Sequence, residues 1–332
     1  MTAKGTTAVQ ENLLKVFEKL EAARKMQNGW MDRGLDFVDL YVEDAGGDWL
    51  EKWGKSEKFE FDTIRGIDVE AVKAAIDFPD FQKTTLLEIA LTHHFSIDDG
   101  RDRISESPAW QDVHYKRLTL LGGAILCAVV ADYLYREYPN LNREALSELK
   151  SSLVNKKQLS ELAVCLNLNE LSWRGYSAKK IDKSDRNKIL SETFEAVFGA
   201  IYLEYDRDFF RAGEWLIQHF IKKAVDRNIN LIQQQQKPPK NEGKRLAILG
   251  ADILEAIAID YLYNRFPEST ASQLIHWKNI LASKDIFPKN FQAKLGSQYL
   301  ELESNFSRTR EWLVDNFIKT TVEELVEETE NN

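Results

Sequence analysis

The amino-acid sequence predicts an all-α protein, and three observations support this fold class. The 332 residues include only 7 prolines, and alternation of apolar with polar residues, the pattern of a half-buried β-strand, is scarce. Apolar residues instead recur three and four positions apart, as they do on one face of an α-helix. Two helix-patterned segments also occur twice in the chain, which predicts a repeated helical unit.

Residues 1–78 form an N-terminal extension that we expect to be mostly helical. Apolar residues recur at helical spacing within residues 9–26 and again within 69–76. The stretch between them is rich in aromatic residues, which could stack on nucleic-acid bases. We favour the simpler interpretation, that they form a small core or dock on the main domain; they are Trp30, Phe37, Tyr41, Trp49, Trp53, Phe59 and Phe61.

The rest of the chain divides by composition. Residues 79–228 form one long helical body, and 244–320 form a second, shorter block. Between them, residues 229–243 are polar and contain the pair Pro238-Pro239, so we predict a linker there. Residues 321–332 form an acidic tail that we expect to be frayed or disordered.

The charge balance neither requires nor excludes a nucleic-acid partner. The net charge of −9 arises at the two ends of the chain, and residues 86–321 are close to neutral. The N-terminus lacks the apolar core of a signal peptide, and we expect no apolar run of membrane-spanning length. We expect Cys127 and Cys165 to be reduced core thiols, which together with these absences predicts a cytoplasmic protein.

The internal repeat is the most informative feature of the sequence. Residues 116–139 match 244–267 at 13 of 24 positions, and residues 189–222 match 286–319 at 15 of 34, both without gaps. The first pair is offset by 128 residues and the second by 97, so the second copy is 31 residues shorter. We interpret this pattern as a duplication.

Four segments of the first copy resemble the ribonuclease III endonuclease domain. They are LLEIALTHHFS at 86–96, KRLTLLGGAIL at 116–126, LVNKKQL at 153–159 and ILSETFEAVFGAIYLE at 189–204. The resemblance implies an all-α, ribonuclease III endonuclease-like helical domain followed by a shortened second copy. It also implies an activity, the cleavage of double-stranded RNA with magnesium held by carboxylates of both signature helices.

This sequence departs from the family at the positions that carry the chemistry. The resemblance puts Thr119 and Gly123 at the two metal positions of the first signature helix, and Lys116 where the family has a leading glutamate. The second signature helix keeps acids at both of its positions, Glu192 and Glu195. Two catalytic carboxylates out of four therefore remain, both on one helix.

The second copy has lost all four carboxylates. The family's metal positions fall there on Ala247, Ala251, Lys289 and Gln292. Asp252 lies one residue beyond the required position, about 100° around an α-helix, and is not a replacement.

Two interpretations of the remaining acids stay open. Glu192 and Glu195 could hold one partly hydrated Mg²⁺ together with a substrate phosphate. The interpretation we prefer is that they are surviving surface acids, paired with Lys116 across the helices. We expect no other cofactor, and we expect His93, His94, His114 and His219 to be structural because no cluster of metal ligands accompanies them.

A basic segment leads directly into the Glu192 helix. Residues 174–188 contain six basic and two acidic side chains, and recognition of an A-form RNA backbone requires charge rather than base reading. A solvated loop would have the same composition, so both interpretations remain. The candidate RNA-binding residues are Arg174, Lys179, Lys180, Lys183, Arg186 and Lys188.

The resemblance also predicts how the two copies associate. Family domains pair through the first signature helix, where Leu120 and Ile248 occupy an apolar contact position. Two copies on one chain predict an intramolecular pseudo-dimer. The alternatives are a homodimer through the first copy and a heterodimer with a complete ribonuclease III subunit.

Three functions follow as hypotheses. The first is a pseudonuclease that binds structured or double-stranded RNA or a ribonucleoprotein. The second is an active, Mg²⁺-dependent double-stranded RNA endoribonuclease that acts in RNA processing with a reduced metal shell. The third is a protein-interaction scaffold that makes no contact with RNA.

Overall fold

A computed structural model describes residues 67–92, 108–172, 183–233 and 242–330, the last range without residues 268, 282–286 and 288–289. Every regular element in these ranges is helical, so the predicted all-α class is confirmed. The predicted helix at 9–26 and the aromatic residues 30–61 lie outside the described residues. We number the α-helices α1 (Val69–Ala75), α2 (Thr84–Leu91), α3 (Pro108–Glu137), α4 (Arg143–Val154), α5 (Lys156–Cys165), α6 (Leu168–Leu171), α7 (Lys183–Glu204), α8 (Phe209–Leu216), α9 (Lys222–Gln233), α10 (Glu242–Arg265), α11 (Ala271–Leu281), α12 (Phe291–Glu301), α13 (Phe306–Leu313) and α14 (Lys319–Glu330).

Side-chain caps fix several helix starts. Asn142 Oδ1 accepts a hydrogen bond from the backbone N–H of Ala145 at the start of α4, and Asn155 Oδ1 accepts one from Gln158 at the start of α5. Asp208 caps α8 in the same way. These caps satisfy backbone donors that have no partner within the helix.

Helices α3 and α7 cross at very close range because glycine stands at the contact point. A Cβ atom added to Gly122 would lie 1.9 Å from the backbone oxygen of Glu195, and one added to Gly199 would lie 2.6 Å from that of Leu118. Only residues without a side chain permit backbones to approach so closely. The apolar residues that follow on both helices, including Leu126 and Phe198, are fully or almost fully buried.

Helices α10 and α12 of the second repeat form a crossing of the same construction. A Cβ on Gly250 would lie 1.9 Å from the backbone oxygen of Gln292, and one on Gly296 would lie 2.3 Å from that of Leu246. These four residues are the repeat equivalents of the four at the first crossing. The sequence repeat thus corresponds to two helix pairs with the same local geometry.

The two helix pairs pack against each other through α3 and α10. Arg117 of α3 is fully buried. It donates hydrogen bonds of 2.8 Å from Nη2 to the carbonyl of Tyr263 and 2.8 Å from Nη1 to that of Phe266. Its guanidinium carbon lies 4.6 Å from the centre of the Tyr263 ring. The arginine therefore caps the C-terminal end of α10, where carbonyls have no partner within the helix.

Arg245 of α10 makes the reciprocal contacts. Its Nη2 donates hydrogen bonds of 3.1 and 3.3 Å to the carbonyls of Tyr135 and Tyr138, at the end of α3. Its guanidinium carbon lies 4.6 Å from the centre of the Tyr135 ring. Arg117 and Arg245 occupy equivalent positions in the two repeats, and so do the residues that they contact. Such reciprocal contacts are the pattern expected around a two-fold axis.

Further contacts between the two repeats lie around this local axis. Phe209 and Phe306 stack on each other with ring centres 4.3 Å apart and an interplanar angle of 5°. Tyr202 donates a hydrogen bond of 3.3 Å to Asp260, which is fully buried and also accepts 2.6 Å from Arg310 Nε. Its equivalent, Asp132, is bound instead by Arg136 of its own helix, with Nε 3.1 Å from Oδ1.

One segment within the described residues, His114–Glu137 of α3, is long and apolar enough to cross a membrane, judged by length and composition alone. The expectation that the chain has no such run is wrong. The physical reason lies in packing: 72% of the apolar window is buried inside the protein, as expected for a core helix covered by α7 and α10.

The compact unit containing α1–α13 ends at Leu313; the π-helical segment Val314–Ile318 and α14 belong to a second unit. A π-helical segment also occurs in the first unit, at Ile217–Ile221, the equivalent position of the repeat. Helix α14 continues through Glu330, so the predicted frayed tail is helical. Glutamate has a high helix propensity and continues the helix that precedes it.

One expectation stays a prediction and another needs correction. Helix α9 extends to Gln233 and α10 begins at Glu242, so both ends of the stretch 229–243 are helical, whereas residues 234–241 of the predicted linker lie outside the described residues. Asparagine and glutamine are tolerated on exposed helix faces, and polarity alone does not end a helix. Both cysteines are free, but Cys165 is exposed, not a core thiol. It ends α5 beside Val164, which is itself 49% exposed.

Candidate functional site

The four positions that the family resemblance assigns to metal binding meet where α3 crosses α7. Thr119 Oγ1 lies 3.4 Å from the backbone oxygen of Glu192. A Cβ atom on Gly123 would lie 3.4 Å from both Cδ and Oε1 of Glu195. The close crossing at Gly122 produces this convergence, because it brings two turns of α3 against two turns of α7.

The hydroxyl of Thr119 serves its own helix. Its Oγ1 donates a hydrogen bond of 2.9 Å to the carbonyl of Tyr115, four residues earlier. Tyr115 is fully buried, and its hydroxyl lies 3.4 Å from Thr193 Oγ1. These hydroxyl contacts tie α3 to α7 on the side of the crossing where the family has a carboxylate.

Glu195 is a half-buried carboxyl with an unusual acidity. Burial, and after it the negative charge of Glu192, raise the pKa of Glu195 from 4.5 to about 7, although the positive charge of Lys156 lowers it. These surroundings therefore favour the neutral form of the Glu195 carboxyl more than those of an ordinary exposed glutamate do. A protonated carboxyl is a poor ligand for a hard cation.

Glu192 lies beside a lysine of its own helix. Lys188 Nζ is 4.0 Å from Glu192 Oε1, one turn away, and the two side chains are 56% and 26% exposed. Lys188 was predicted to bind RNA and Glu192 to bind metal. The two residues with these predicted roles therefore lie one helical turn apart, and both roles stay predictions.

The donor set does not fit the two magnesium ions of the family mechanism. Among the residues that the structure describes, no group of three or more His, Cys, Asp or Glu side chains could hold a metal ion. The crossing offers two carboxylates, one with a raised pKa and one beside a lysine. Two divalent cations require more anionic oxygens than these.

In the second repeat, none of the family's metal positions that the structure describes carries an acid. Ala247 and Ala251 are half-buried, Gln292 is exposed, and Lys289 lies outside the described residues. Asp252 is buried and binds Lys150, whose Nζ lies 2.6 and 2.5 Å from its two carboxylate oxygens. Burial raises the pKa of Asp252, whereas Lys150 lowers it. Asp252 therefore serves as a buried structural partner for Lys150.

The predicted RNA-binding segment is described only at its end. Arg174, Lys179, Lys180 and the side chain of Lys183 lie outside the described residues. Arg186 and Lys188 are exposed on the first turns of α7, a short distance along the helix from Glu192.

Two of the histidines that the structure describes, His114 and His219, have packed surroundings. Burial, assisted by the charge of Arg117, lowers the pKa of His114 to about 4. His219 stacks on Trp215, and its Nδ1 lies 2.7 Å from the Trp215 carbonyl while its Nε2 lies 3.2 Å from Asp77. His93 and His94 lie outside the described residues.

Sequence reasoning missed the charged residues that join the two repeats. Leu120 and Ile248, the predicted contact residues, are both half-buried on α3 and α10, and their part in the interface stays a prediction. The polar contacts described above come instead from Arg117, Arg245 and Asp260. A signal existed: Arg117 with Arg245, and Asp132 with Asp260, are identical in the two copies although charged residues are rare in cores.

Comparisons with known proteins agree with the sequence resemblance. Residues 83–224 match a family model described as Ribonuclease-III-like. Ribonuclease 3 from Bdellovibrio bacteriovorus is 33% identical over 144 residues, covering 43% of this chain and 57% of that protein. Ribonuclease 3 from Francisella tularensis subsp. holarctica is 32% identical over 180 residues, covering 54% of this chain and 70% of that protein.

A solved structure of the nuclease domain of ribonuclease III from Campylobacter jejuni aligns with 46% of this chain and 94% of its own, at 27% identity and a TM-score of 0.36. The chain spans 57% of the length of the Bdellovibrio relative and 70% of that of the Francisella one. The extent of the Francisella match, together with the family model, carries the assignment: this chain belongs to the ribonuclease III family.

Proposed function

We propose that this protein is a ribonuclease III-type pseudonuclease that binds double-stranded or otherwise structured RNA without cleaving it. The observation that carries the proposal is the donor set at the α3–α7 crossing. Of the four family metal positions, only Glu192 and Glu195 hold carboxylates, and the pKa of Glu195, raised by burial and by Glu192, is about 7. A metal-dependent hydrolysis would lack half of the four carboxylate ligands.

Membership of the family supports a function that concerns double-stranded RNA. The exposed cations Arg186 and Lys188 support backbone contact at the same site. Recognition of an A-form duplex relies on shape and phosphate contacts, so RNA binding can persist after the metal ligands are lost. A ribonucleoprotein is an alternative form of the same partner.

We also infer that the second repeat takes the place of the partner subunit in a family dimer. Three observations support this: the duplicated helix pairs, the reciprocal contacts of Arg117 and Arg245, and the stacking of Phe209 on Phe306. The two pairs then create one composite surface from a single chain.

A cleavage assay tests the first proposal. The full chain is incubated with duplex RNA of 30 or so base pairs in Mg²⁺ or Mn²⁺, alongside its Glu195→Gln variant and the Francisella relative as a positive control. We expect no cleavage by either form of this chain. Metal-dependent products from the wild type that vanish with Glu195→Gln would instead establish the active endoribonuclease.

A binding assay tests the RNA partner. Affinity for duplex RNA is measured over a salt series, because phosphate contacts weaken as salt rises. We expect measurable affinity at low salt that falls steadily with salt concentration. An absence of binding at low salt would contradict the proposal and favour the protein-interaction scaffold.

A further inference from the structure

Three exposed lysines lie on the two signature helices and on helix α5, which packs against α7. Lys188 of α7 lies 4.0 Å from Glu192. Lys116, an exposed residue of α3, precedes Thr119 by three positions and Gly123 by seven, so it shares their helix face. Lys156, exposed at the first position of α5, is close enough to Glu195 to affect its acidity. We call Lys116, Lys156 and Lys188 the lysine cluster.

The three lysines belong to helices that pack on one another. Helix α5 packs on α7, and α7 packs on α3. Lys156 follows directly after the capping residue Asn155, whose bond to Gln158 holds the first turn of α5 in place. The cluster therefore combines cations from three rigid elements.

The charge around the crossing has the wrong sign for a metal site. Three ammonium groups accompany two carboxylates, which leaves an excess of one positive charge even when both acids are ionised. In a site with an excess of positive charge, a divalent cation meets repulsion, whereas an anion is attracted. Lysine is an effective phosphate ligand because its ammonium is a compact charge with three donors.

We propose that the lysine cluster is a metal-independent phosphate-binding site that holds the backbone of duplex RNA at the position where the family binds magnesium. The inference rests on the proposed RNA-binding function and adds its chemical basis. Glu192 and Glu195 then position the lysines and limit the excess of positive charge. The ammonium groups take over the neutralisation of phosphate that a metal would provide.

Fluorescence anisotropy of a labelled RNA duplex tests the cluster. Binding by the full chain is measured in EDTA over a salt series, for the wild type and for Lys116→Gln/Lys156→Gln/Lys188→Gln. We expect the wild type to bind in EDTA. We expect the triple variant to bind RNA roughly 10-fold or more weakly. The slope of the logarithm of the binding constant against the logarithm of the salt concentration should also become smaller in magnitude by up to about three, which is about one for each lost phosphate contact.

Two control variants show whether RNA binding depends on where the lysines lie and on whether their charge is kept. Lys157→Gln/Lys222→Gln/Lys223→Gln removes three exposed lysines outside the cluster and should retain nearly wild-type affinity. Lys116→Arg/Lys156→Arg/Lys188→Arg keeps the charge of the cluster and should retain most of the binding. Circular dichroism and thermal melting of each variant show whether it is folded.

Glu192→Gln distinguishes a phosphate-binding site from a magnesium site by whether the affinity for RNA rises or falls. Removing a carboxylate from a phosphate site leaves more positive charge, so RNA affinity in EDTA should rise or stay equal. At a magnesium site the same change would weaken RNA binding in Mg²⁺. A rise in EDTA supports the cluster, and a loss that occurs only in Mg²⁺ contradicts it.

The outcomes distinguish this inference from the proposed function. If the wild type does not bind RNA at low salt, with or without Mg²⁺, the proposed function fails and the cluster with it. If the wild type binds only in Mg²⁺, or the glutamine triple variant binds as tightly as the control variant, RNA binding stands and the lysine cluster is refuted.

Discussion

Glu195 shows at the scale of one residue how the surroundings change a carboxyl that the family uses in catalysis. Its backbone oxygen lies against Gly122, and its side chain lies next to Gly123. Burial there, followed by the charge of Glu192, raises its pKa to about 7. Without a bound cation to stabilise the anion, the neutral carboxyl is the favoured form in the folded protein below that pH.

This shift predicts how stability depends on pH. Because the pKa is raised above the unfolded value of 4.5 to about 7, the stabilisation from neutral Glu195 is complete below pH 4.5 and is lost as pH rises through 7. Glu195→Gln should remove this pH-dependent loss of stability. The free energy of unfolding of the variant, relative to that of the wild type, should therefore rise by at most ~3 kcal/mol between pH 4.5 and 8. Urea unfolding of both proteins at several pH values measures it.

The exposed Glu148 of α4 provides the control. Glu148→Gln, measured at the same pH values, removes one carboxylate without changing the α3–α7 crossing. Equal profiles for wild type and Glu195→Gln would show that Glu195 titrates normally.

At the scale of the helix, the α3–α7 crossing depends on the difference between two adjacent glycines. Gly122 faces the backbone of α7, whereas Gly123 faces only the flexible end of Glu195. A methyl group at the first position must push two helices apart. A methyl group at the second meets a side chain that can move.

We therefore predict opposite effects from two alanine substitutions. Gly122→Ala should destabilise the protein by about 3 kcal/mol or more, because its Cβ would lie 1.9 Å from the backbone oxygen of Glu195. Gly123→Ala should be neutral, or stabilising by up to ~1 kcal/mol, because alanine favours a helix interior over glycine. Chemical unfolding of both variants gives the comparison.

Gly250→Ala extends the test to the second repeat. Its Cβ would also lie 1.9 Å from a backbone oxygen, that of Gln292, so we expect a loss similar to that of Gly122→Ala. Wild-type stability for either variant would mean that the helices do not cross at these glycines.

At the scale of the whole molecule, two buried arginines join the repeats. Arg117 and Arg245, 0% and 3% exposed, each cap the last carbonyls of the opposite long helix. We predict that Arg117→Met or Arg245→Met lowers the free energy of unfolding by about 3 kcal/mol, because carbonyls at the interface lose their charged donors. Urea unfolding of the full chain measures the loss.

The double variant and a surface arginine complete this experiment. Because both arginines hold one interface, the combined loss should differ from the sum of the single losses. Arg143→Met, at an arginine 54% exposed, should change stability by no more than about 0.5 kcal/mol. A single-variant loss as small as that of Arg143→Met would contradict the joining role.

Intramolecular pairing also predicts a monomer. Helix α3 already packs against α10, so the helix through which the resemblance predicts subunit pairing is already covered by α10 within one chain. Light scattering coupled to gel filtration should give a mass near 38.3 kDa over a wide concentration range. A stable mass of twice that value would favour the homodimer through the first copy.

The sequence by itself determined the class, the family and the list of missing ligands. Helical periodicity is a local property, so the helices of the main body could be predicted from spacing. The resemblance at 86–96, 116–126, 153–159 and 189–204 implies that Thr119 and Gly123 stand at carboxylate positions, and this assignment stays a prediction. The errors lay at the tail, Cys165 and the apolar run of α3, where packing or helix continuation overrides composition.

Only the tertiary structure decided what the surviving groups can do. Whether Glu195 is charged depends on burial by α3 and α7 and on the neighbouring Glu192. The role of Asp252 as a partner of Lys150 depends on a contact between residues 102 positions apart. The pairing of the repeats depends on Arg117 reaching carbonyls more than 140 residues away. Burial and long-range contact set the pKa values and the interface, and no local pattern in the chain encodes either.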